Sequence, residues 1–308
     1  EISRTTGARA EIYHLKIGGK ENWHKYDDLI AKLNHARAQG LEVTANLYTY
    51  TAGSTGLDAA MPPWVQAGGY DAWRARLQDP EIRPRLEEEM QSPTSQWENL
   101  LLSAGPEKTL LVGFQNPQLR KYTGQTLAEV ARQKNKSAIA TAIDLVIADG
   151  SRVQVVYFLM SETNLRKMIQ IPWVSFGSDA ASMSASGVFL NRSTHPRAYG
   201  NFARVLGKYT REEKLLTLAQ AIHKLTGLPA RNLRIQQRGL LKEGFFADVV
   251  VFDPNEVRDT ATYEQPHSLA VGMKHVFVNG EPVLTQGKTT GRLPGRVVRC
   301  PGWSGKKK

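Results

Sequence analysis

The feature that most constrains this chain is a strand–helix–strand run near its beginning. Residues 10–16 form an apolar, strand-like stretch that ends in His14, Leu15 and Lys16. After a Gly18-Gly19 turn, residues 23–39 place Leu29, Ile30, Leu33 and Ala36 near helical spacing, with Gly40 as the stop. Residues 41–48 then alternate as a second strand. Two strands joined through a helix by short connections form a βαβ unit, so they run parallel and imply an α/β fold. The strand ends then share one edge, where a parallel α/β architecture gathers its chemistry.

A third run of the same kind lies far downstream. It rises through Trp173, Val174 and Phe176 and ends on Gly177, Ser178 and Asp179. A short buried strand that terminates in Asp is how an α/β barrel presents a catalytic base at its mouth. Read together, His14 and Asp179 point to one metal-dependent hydrolase site. Each also has a plainer reading. A lone histidine beside an apolar strand is commonly a packed core residue, and Asp179 would serve equally as a cap for the following loop. In the functional reading His14 binds zinc through one ring nitrogen, while Asp179 contacts the metal and takes a proton from the water it acidifies to a pKa of about 7.

Other candidates follow from placement. Lys16 lies two residues beyond His14 and so on the same strand face; it is either a surface lysine or a clamp for a substrate carboxylate. The run from Tyr48 to Leu57 is rich in hydroxyls and glycine, and Tyr48, Tyr50 and Ser54 in it are either hydrogen-bond donors to a substrate or turn chemistry. Arg197, in His195-Pro196-Arg197, is either part of a structural turn or an anion-binding group at the mouth. The remaining histidines, at 24, 35, 223, 267 and 275, read as structural.

Between the second and third strands the rhythm breaks. Helical patterns at about 70–91, 126–133 and 137–149 and strand patterns at 109–114 and 153–158 occupy the gap, which is too long for a bare loop. An inserted, lid-like subdomain at about 51–125 is expected. Ser161 opens a short helix over 161–170 as its N-cap. Further helices are expected at 201–209 and 212–226, the latter stopped by Gly227 and Pro229. From 239 onward short strands predominate, with 247–254, 275–280 and 295–299 the clearest, and they read as part of a small β domain.

Composition removes several function classes. The net charge of +11 comes from 40 Lys and Arg against 29 Asp and Glu, but the basic residues are scattered and no aromatic-basic motif appears, so no nucleic-acid partner is expected. No apolar run approaches the roughly 18 residues of a membrane span. Cys300 is the single cysteine, which excludes an internal disulfide and a Cys-rich zinc site. The chain opens on Glu1-Ile2-Ser3-Arg4, with neither Met nor a signal-peptide pattern, and reads as the interior of a longer protein. The composition is compatible with bacterial cytoplasm, periplasm or secretion, and it sets no oligomeric state.

Five segments together resemble the N-acyl-D-amino-acid deacylase (D-aminoacylase) family of the amidohydrolase superfamily: residues 12–16, 48–57, 177–179, 194–202 and 238–248. The resemblance implies the C-terminal part of a metal-dependent (β/α)₈ TIM barrel carrying barrel strands six to eight within 1–238, with the insert at about 51–125. It implies the returning strands of a small β-sandwich over 239–308. The implied activity is zinc-dependent hydrolysis of the amide of a small N-acyl-D-amino acid to a carboxylate and a D-amino acid, with one or two zinc ions. By position, His14 is similar to the metal-binding histidine of the sixth strand and Asp179 to the metal-proximal general base of the eighth. Lys16, Tyr48, Tyr50 and Ser54 fall where the family places substrate contacts, the carboxylate clamp among them, and Arg197, from its place at the mouth, joins them as a substrate-binding candidate.

Two departures accompany the resemblance. Asn46 stands where the family commonly has Asp. The first-strand metal pair, the bridging residue and the fifth-strand histidine are absent, so these 308 residues alone are expected to be inactive. Alternative readings are an amidohydrolase of cyclic amides or dipeptides, or a non-catalytic binding or scaffold chain.

Overall fold

The computed structural model describes residues 1–94, 96–299, 301 and 303; Cys300 and the lysine tail 306–308 lie outside the described residues. After a short helix α1 (Ile2–Thr6) comes β1 (Ala10–Ile12). A 3₁₀ turn leads into α2 (Tyr26–Ala38) and then β2 (Val43–Leu47). β1 and β2 pair in parallel with Ala10 opposite Val43 and Ile12 opposite Ala45, as the strand–helix–strand pattern requires. The alternation of β2 is realised: Val43, Ala45 and Leu47 are buried, while Thr44 and Asn46 on the other face are half-buried.

The chain leaves β2 at Tyr48 and builds a separate unit before returning. β3 (Ala52–Gly56) begins it, followed by α3 (Pro63–Gln66), α4 (Gly69–Gln78), α5 (Arg83–Gln91) and α6 (Leu100–Ala104). The hydroxyl-rich run thus contains a strand. The helical stretch at 70–91 is two helices: Pro80, which has no amide to donate, lies in the break after Gln78, and Pro84 sits in the first turn of α5, where no amide partner is needed. β4 (Thr109–Gly113), α7 (Leu127–Lys134), α8 (Ala138–Asp149) and β5 (Gln154–Phe158) complete the unit. Thr126 and Glu129 form a capping box on α7, and Ser137 caps α8, so both helices start where their side-chain oxygens satisfy free amides. The three strands form one antiparallel sheet in the order β3-β5-β4. A stretch from 51 to 125 therefore leaves the sheet's middle strand, β5, outside its bounds. Trp73, Leu86, Phe114, Ile143 and Tyr157 lie in the core of this unit.

Ser161 caps α9 (Glu162–Ile169), which delivers the chain to β6 (Val174–Phe176). β6 pairs in parallel with the free side of β2, Ala45 opposite Val174 and Leu47 opposite Phe176. The order β1-β2-β6 puts the ends of all three strands at one edge. Beneath them lies a second core that includes Leu165, Met168, Ile169, Tyr209 and Ala221.

Then come α10 (Arg197–Arg204), a π-helical segment (Val205–Glu212), α11 (Leu218–Leu225) and α12 (Gly227–Asn232). Two expectations are corrected here. The helix expected at 212–226 starts at Leu218, because Thr217 and Gln220 form its capping box. Gly227 opens α12 rather than ending the run, and Pro229 sits in that helix's first turn, where no amide partner is needed.

The last unit is one antiparallel sheet in the order β10-β9-β8-β7, made of β7 (Val249–Phe252), β8 (Met273–Val278), β9 (Glu281–Thr285) and β10 (Lys288–Thr289). Its two tight hairpins turn on Asn279-Gly280 and Gln286-Gly287, all four at positive φ, the backbone a two-residue hairpin demands. The strand expected at 295–299 does not form. Val297 is 80% exposed and pairs with no neighbouring strand among the described residues, and an isolated run has no ladder to hold it. No described helix is long and apolar enough to cross a membrane.

Candidate active site

His14 and Asp179 stand just beyond the ends of β1 and β6, on either side of β2, and share an unusual backbone. Their φ angles are 47° and 48°, in the left-handed region that costs a non-glycine residue about 1–2 kcal/mol. Such conformations persist only where neighbours over-determine them. The His14 amide donates to Asn46 Oδ1 at 2.9 Å, and the Leu15 amide to the Asn46 carbonyl at 2.7 Å. On the other side, the Gly177 amide donates to the Leu47 carbonyl at 3.0 Å. A Cβ on Gly177 would lie 3.1 Å from Asn46 Oδ1, so the turn toward Asp179 fits closely against that side chain. Asn46 also donates to Glu11 Oε1 at 3.1 Å, a contact a carboxylate at position 46 could not make.

Two cations face these residues. Lys16 Nζ lies 2.5 Å from His14 Nδ1 and 5.4 Å from the centre of the Tyr48 ring. Burial lowers the Lys16 pKa to about 8. Burial, and after it the Lys16 charge, also lower the His14 pKa, which favours the neutral imidazole. Arg197, with 6% of its side chain exposed, brings Nη1 to 2.9 Å from Asp179 Oδ2. Its guanidinium carbon sits 4.4 Å from the centre of the Tyr48 ring. The Arg197–Asp179 contact is an ion pair without hydrogen-bond alignment, and Arg197 Nε and the Tyr48 hydroxyl find no hydrogen-bond partner among the described residues. These are donors waiting for an acceptor. Tyr13 joins from the side: its ring is 4.5 Å from that of His14, and burial and then Asp179 raise its pKa.

The other residues expected at the site play different parts. The Tyr50 hydroxyl donates to Asp259 Oδ2 at 3.2 Å, and the Ser54 hydroxyl to the Val155 carbonyl at 2.9 Å within the insert's sheet. Lys16, Tyr48, Arg197, His14 and Asp179 are thus brought together, while Tyr50 and Ser54 hold neighbouring walls. His195 is locked, with Nε2 2.8 Å from the Ala52 carbonyl and Nδ1 accepting the Arg197 amide at 3.0 Å. That geometry fixes the proton on Nε2, and burial, with Arg197 nearby, lowers the His195 pKa to about 3.

Sequence reading missed Asn201, Arg204, Asp259 and Tyr263. Arg204 Nη1 donates to Asp259 Oδ2 at 2.9 Å, beside the Tyr50 hydroxyl. Tyr263 packs edge-on against His195, with ring centres 5.2 Å apart. Asn201 lay in view, within the 194–202 segment, whereas nothing in the sequence ties 259 and 263 to residue 50.

A zinc ion suits these donors by type, since His14 offers a neutral imidazole nitrogen and Asp179 a carboxylate oxygen. Two donors do not complete a shell, and no group of three or more His, Cys, Asp or Glu side chains able to hold a metal occurs among the described residues. The Lys16 contact on His14 Nδ1 is one that coordination would have to rearrange.

Residues 114–284, more than half of the chain, match the model of the amidohydrolase family. The chain belongs to that family. Its relatives there are N-acyl-D-amino-acid deacylases. It is 32% identical to an N-acyl-D-glutamate deacylase of Alcaligenes xylosoxydans xylosoxydans over 97% of this chain and 50% of that protein. To a D-aminoacylase of the same organism it is 39% identical over 58% of this chain and 34% of the relative. Among solved structures, the N-acyl-D-glutamate deacylase of Bordetella bronchiseptica, complexed with zinc and a phosphonate that mimics the tetrahedral intermediate, superposes with a TM-score of 0.73 at 30% identity, over 97% of this chain and 51% of that one. A D-aminoacylase described for its binuclear metal centre gives 0.72 at 28% identity, over 96% and 51%. The mixed α/β amidohydrolase fold is therefore common to all of them, and this chain spans about half the length of the N-acyl-D-glutamate deacylase it matches.

Proposed function

We propose that this chain is the C-terminal part of a zinc-dependent deacylase that hydrolyses the amide bond of N-acyl-D-amino acids. The observation that carries the reading is the pairing of His14 and Asp179, both in left-handed backbone at adjoining strand ends, with Lys16, Tyr48 and Arg197 gathered beside them. In this reading β1, β2 and β6 are an arc of a (β/α)₈ barrel, the unit from β3 to β5 is its lid-like insert, and the terminal sheet is one layer of a sandwich. His14 and Asp179 would hold one or two zinc ions together with donors from beyond these 308 residues. Zinc, when bound, supplies Lewis acidity toward the amide carbonyl and acidifies a water to a pKa of about 7.

The chain's own residues do the rest. Arg197 Nε, the Tyr48 hydroxyl and the Lys16 ammonium supply donors for the substrate α-carboxylate, which would give Arg197 Nε and the Tyr48 hydroxyl the acceptor they lack among the described residues. Arg197 Nη1 meanwhile keeps its place against Asp179 and aims that carboxylate. Asp179 accepts the proton of the attacking water and returns it to the amine nitrogen as the C–N bond breaks. Tyr50 and Ser54 line the walls, with their protons committed to Asp259 and Val155 and their oxygens left as acceptors. The test is hydrolysis of N-acetyl-D- and N-acetyl-L-amino acids by the full-length protein, with its zinc content measured. One or two zinc ions per chain and a preference for the D series are expected; equal rates on both series, or a zinc-free enzyme of full activity, would overturn the reading.

A further inference from the structure

Asn201 is 1% exposed, and both ends of its side-chain amide are hydrogen-bonded. Oδ1 accepts the Thr49 amide at 2.8 Å and the Thr49 hydroxyl at 2.9 Å, and Nδ2 donates to the Gly177 carbonyl at 3.1 Å. Two donors on one side and a carbonyl on the other fix which way the amide points. Thr49 lies between Tyr48 and Tyr50 where β2 has ended, and Gly177 lies two residues before Asp179 where β6 has ended. The β2–β6 ladder reaches its last rung at the Gly177 amide and the Leu47 carbonyl. Beyond that rung, the Asn201 side chain hydrogen-bonds to both strand ends, while Arg197 meets them through an ion pair with Asp179 and its stacking on Tyr48.

The helix carrying Asn201 has little freedom to drift. Arg197 lies one turn earlier on α10 and meets Asp179. Gly200 faces Tyr50 and Asp259 so closely that a Cβ would lie 2.4 Å from the Tyr50 hydroxyl and 2.8 Å from Asp259 Cβ. Arg204, one turn later, donates to the Thr49 carbonyl at 3.0 Å and to Asp259 at 2.9 Å. One rigid helix therefore sets the positions of Arg197, the Tyr48–Tyr50 segment and the turn leading to Asp179.

We propose that Asn201 is a positioning residue of the active site, whose oxygen arm sets the Tyr48 side of the substrate pocket and whose nitrogen arm sets the reach of Asp179. Its kinetic consequences rest on the deacylase reading; the tie itself does not. The two arms separate by substitution in the full-length, zinc-loaded protein. Asn201→Asp retains an acceptor for Thr49 and puts an oxygen against the Gly177 carbonyl, so kcat should fall by about 10–100-fold with KM changed by less than about 2-fold, the scale of a small misplacement of a reacting group. Thr49→Val keeps the amide bond to Asn201 and removes the hydroxyl bond, so KM should rise by about 3–10-fold with kcat nearly unchanged. Hydrogen exchange read by mass spectrometry gives a second measure. In Asn201→Asp, exchange should quicken in the peptide spanning 176–181 and stay as in the parent around Thr49.

Parent-like kcat in Asn201→Asp, equal changes in kcat and KM for both variants, or exchange that quickens evenly through the chain would overturn the proposal. If the parent protein hydrolyses no N-acyl-D-amino acid, the deacylase reading falls, and the exchange pattern alone judges the tie: local quickening at 176–181 sustains it, and unchanged exchange there overturns it.

Discussion

The left-handed backbone at Asp179 makes a prediction whose sign is the test. Asp179→Ala and Asp179→Gly both delete the carboxylate and both leave Arg197 without its ion-pair partner. The cost of that loss, on the order of 3 kcal/mol for a guanidinium only 6% exposed, is common to the pair of variants and cancels between them. What remains is the backbone. At an ordinary φ, alanine is the more stable by about 0.4–1 kcal/mol, because glycine loses more freedom on folding. At the φ of 48° found here, alanine instead carries about 1–2 kcal/mol of left-handed strain that glycine escapes. Glycine should therefore be the more stable by roughly 1 kcal/mol, reversing the usual order. Urea unfolding of the two full-length variants, under identical zinc loading, reads this difference from the midpoints. Both should be equally devoid of hydrolytic activity. An Asp179→Ala protein as stable as Asp179→Gly, or more so, would refute the claim that strain is stored at this position.

Other consequences follow from the same geometry. Arg197→Met should lower kcat/KM for an N-acyl-D-amino acid by about 10-fold or more beyond its effect on the analogue whose α-carboxylate is replaced by an amide, because the loss of aim at Asp179 is common to both substrates and the carboxylate contact belongs to one; equal losses on both would remove Arg197 from carboxylate binding. His14→Asn should lower the zinc content of the full-length protein, and a variant that keeps the parent's zinc would exclude His14 as a ligand. His195 gives a pH effect. Burial holds its folded pKa down to about 3, against about 6.5 when unfolded, so between those values the unfolded chain binds a proton that the folded chain refuses. Its contribution is therefore intact above pH 6.5 and is lost as pH falls toward 3. The parent's stability relative to His195→Gln should drop by about 2 kcal/mol between pH 7 and pH 5; parallel stability curves would contradict the neutral, buried histidine.

The part of this site legible in sequence is the part that local pattern determines. Strand ends that finish in His14 and Asp179 announce themselves, because burial periodicity and a terminal polar residue both lie within a few positions. The same holds for Ser161, whose capping oxygen acts three residues ahead. What stayed hidden depends on partners far along the chain. That β5 belongs with β3 is a pairing across a hundred residues, and Ser54 reads as a free hydroxyl until its bond to the Val155 carbonyl is seen. Tyr50 likewise reads as a substrate contact until Asp259, 209 residues later, takes its proton. Residues 295–299 erred in the opposite direction: Val297 and Val298 have strand character, but a strand forms only where a neighbour completes the ladder. Asn46 could be singled out from sequence, whereas its grip on the His14 amide required the fold.

The central claim is that Asp179 moves the proton in an N-acyl-D-amino-acid deacylase. The most direct measurement is turnover of N-acetyl-D-glutamate by full-length parent and Asp179→Asn proteins at matched zinc occupancy. The variant keeps the size and shape of the side chain and loses its basicity. A fall in kcat of at least about 10²-fold is predicted, the scale of a missing general base; near-parental turnover in the zinc-matched variant would contradict the account.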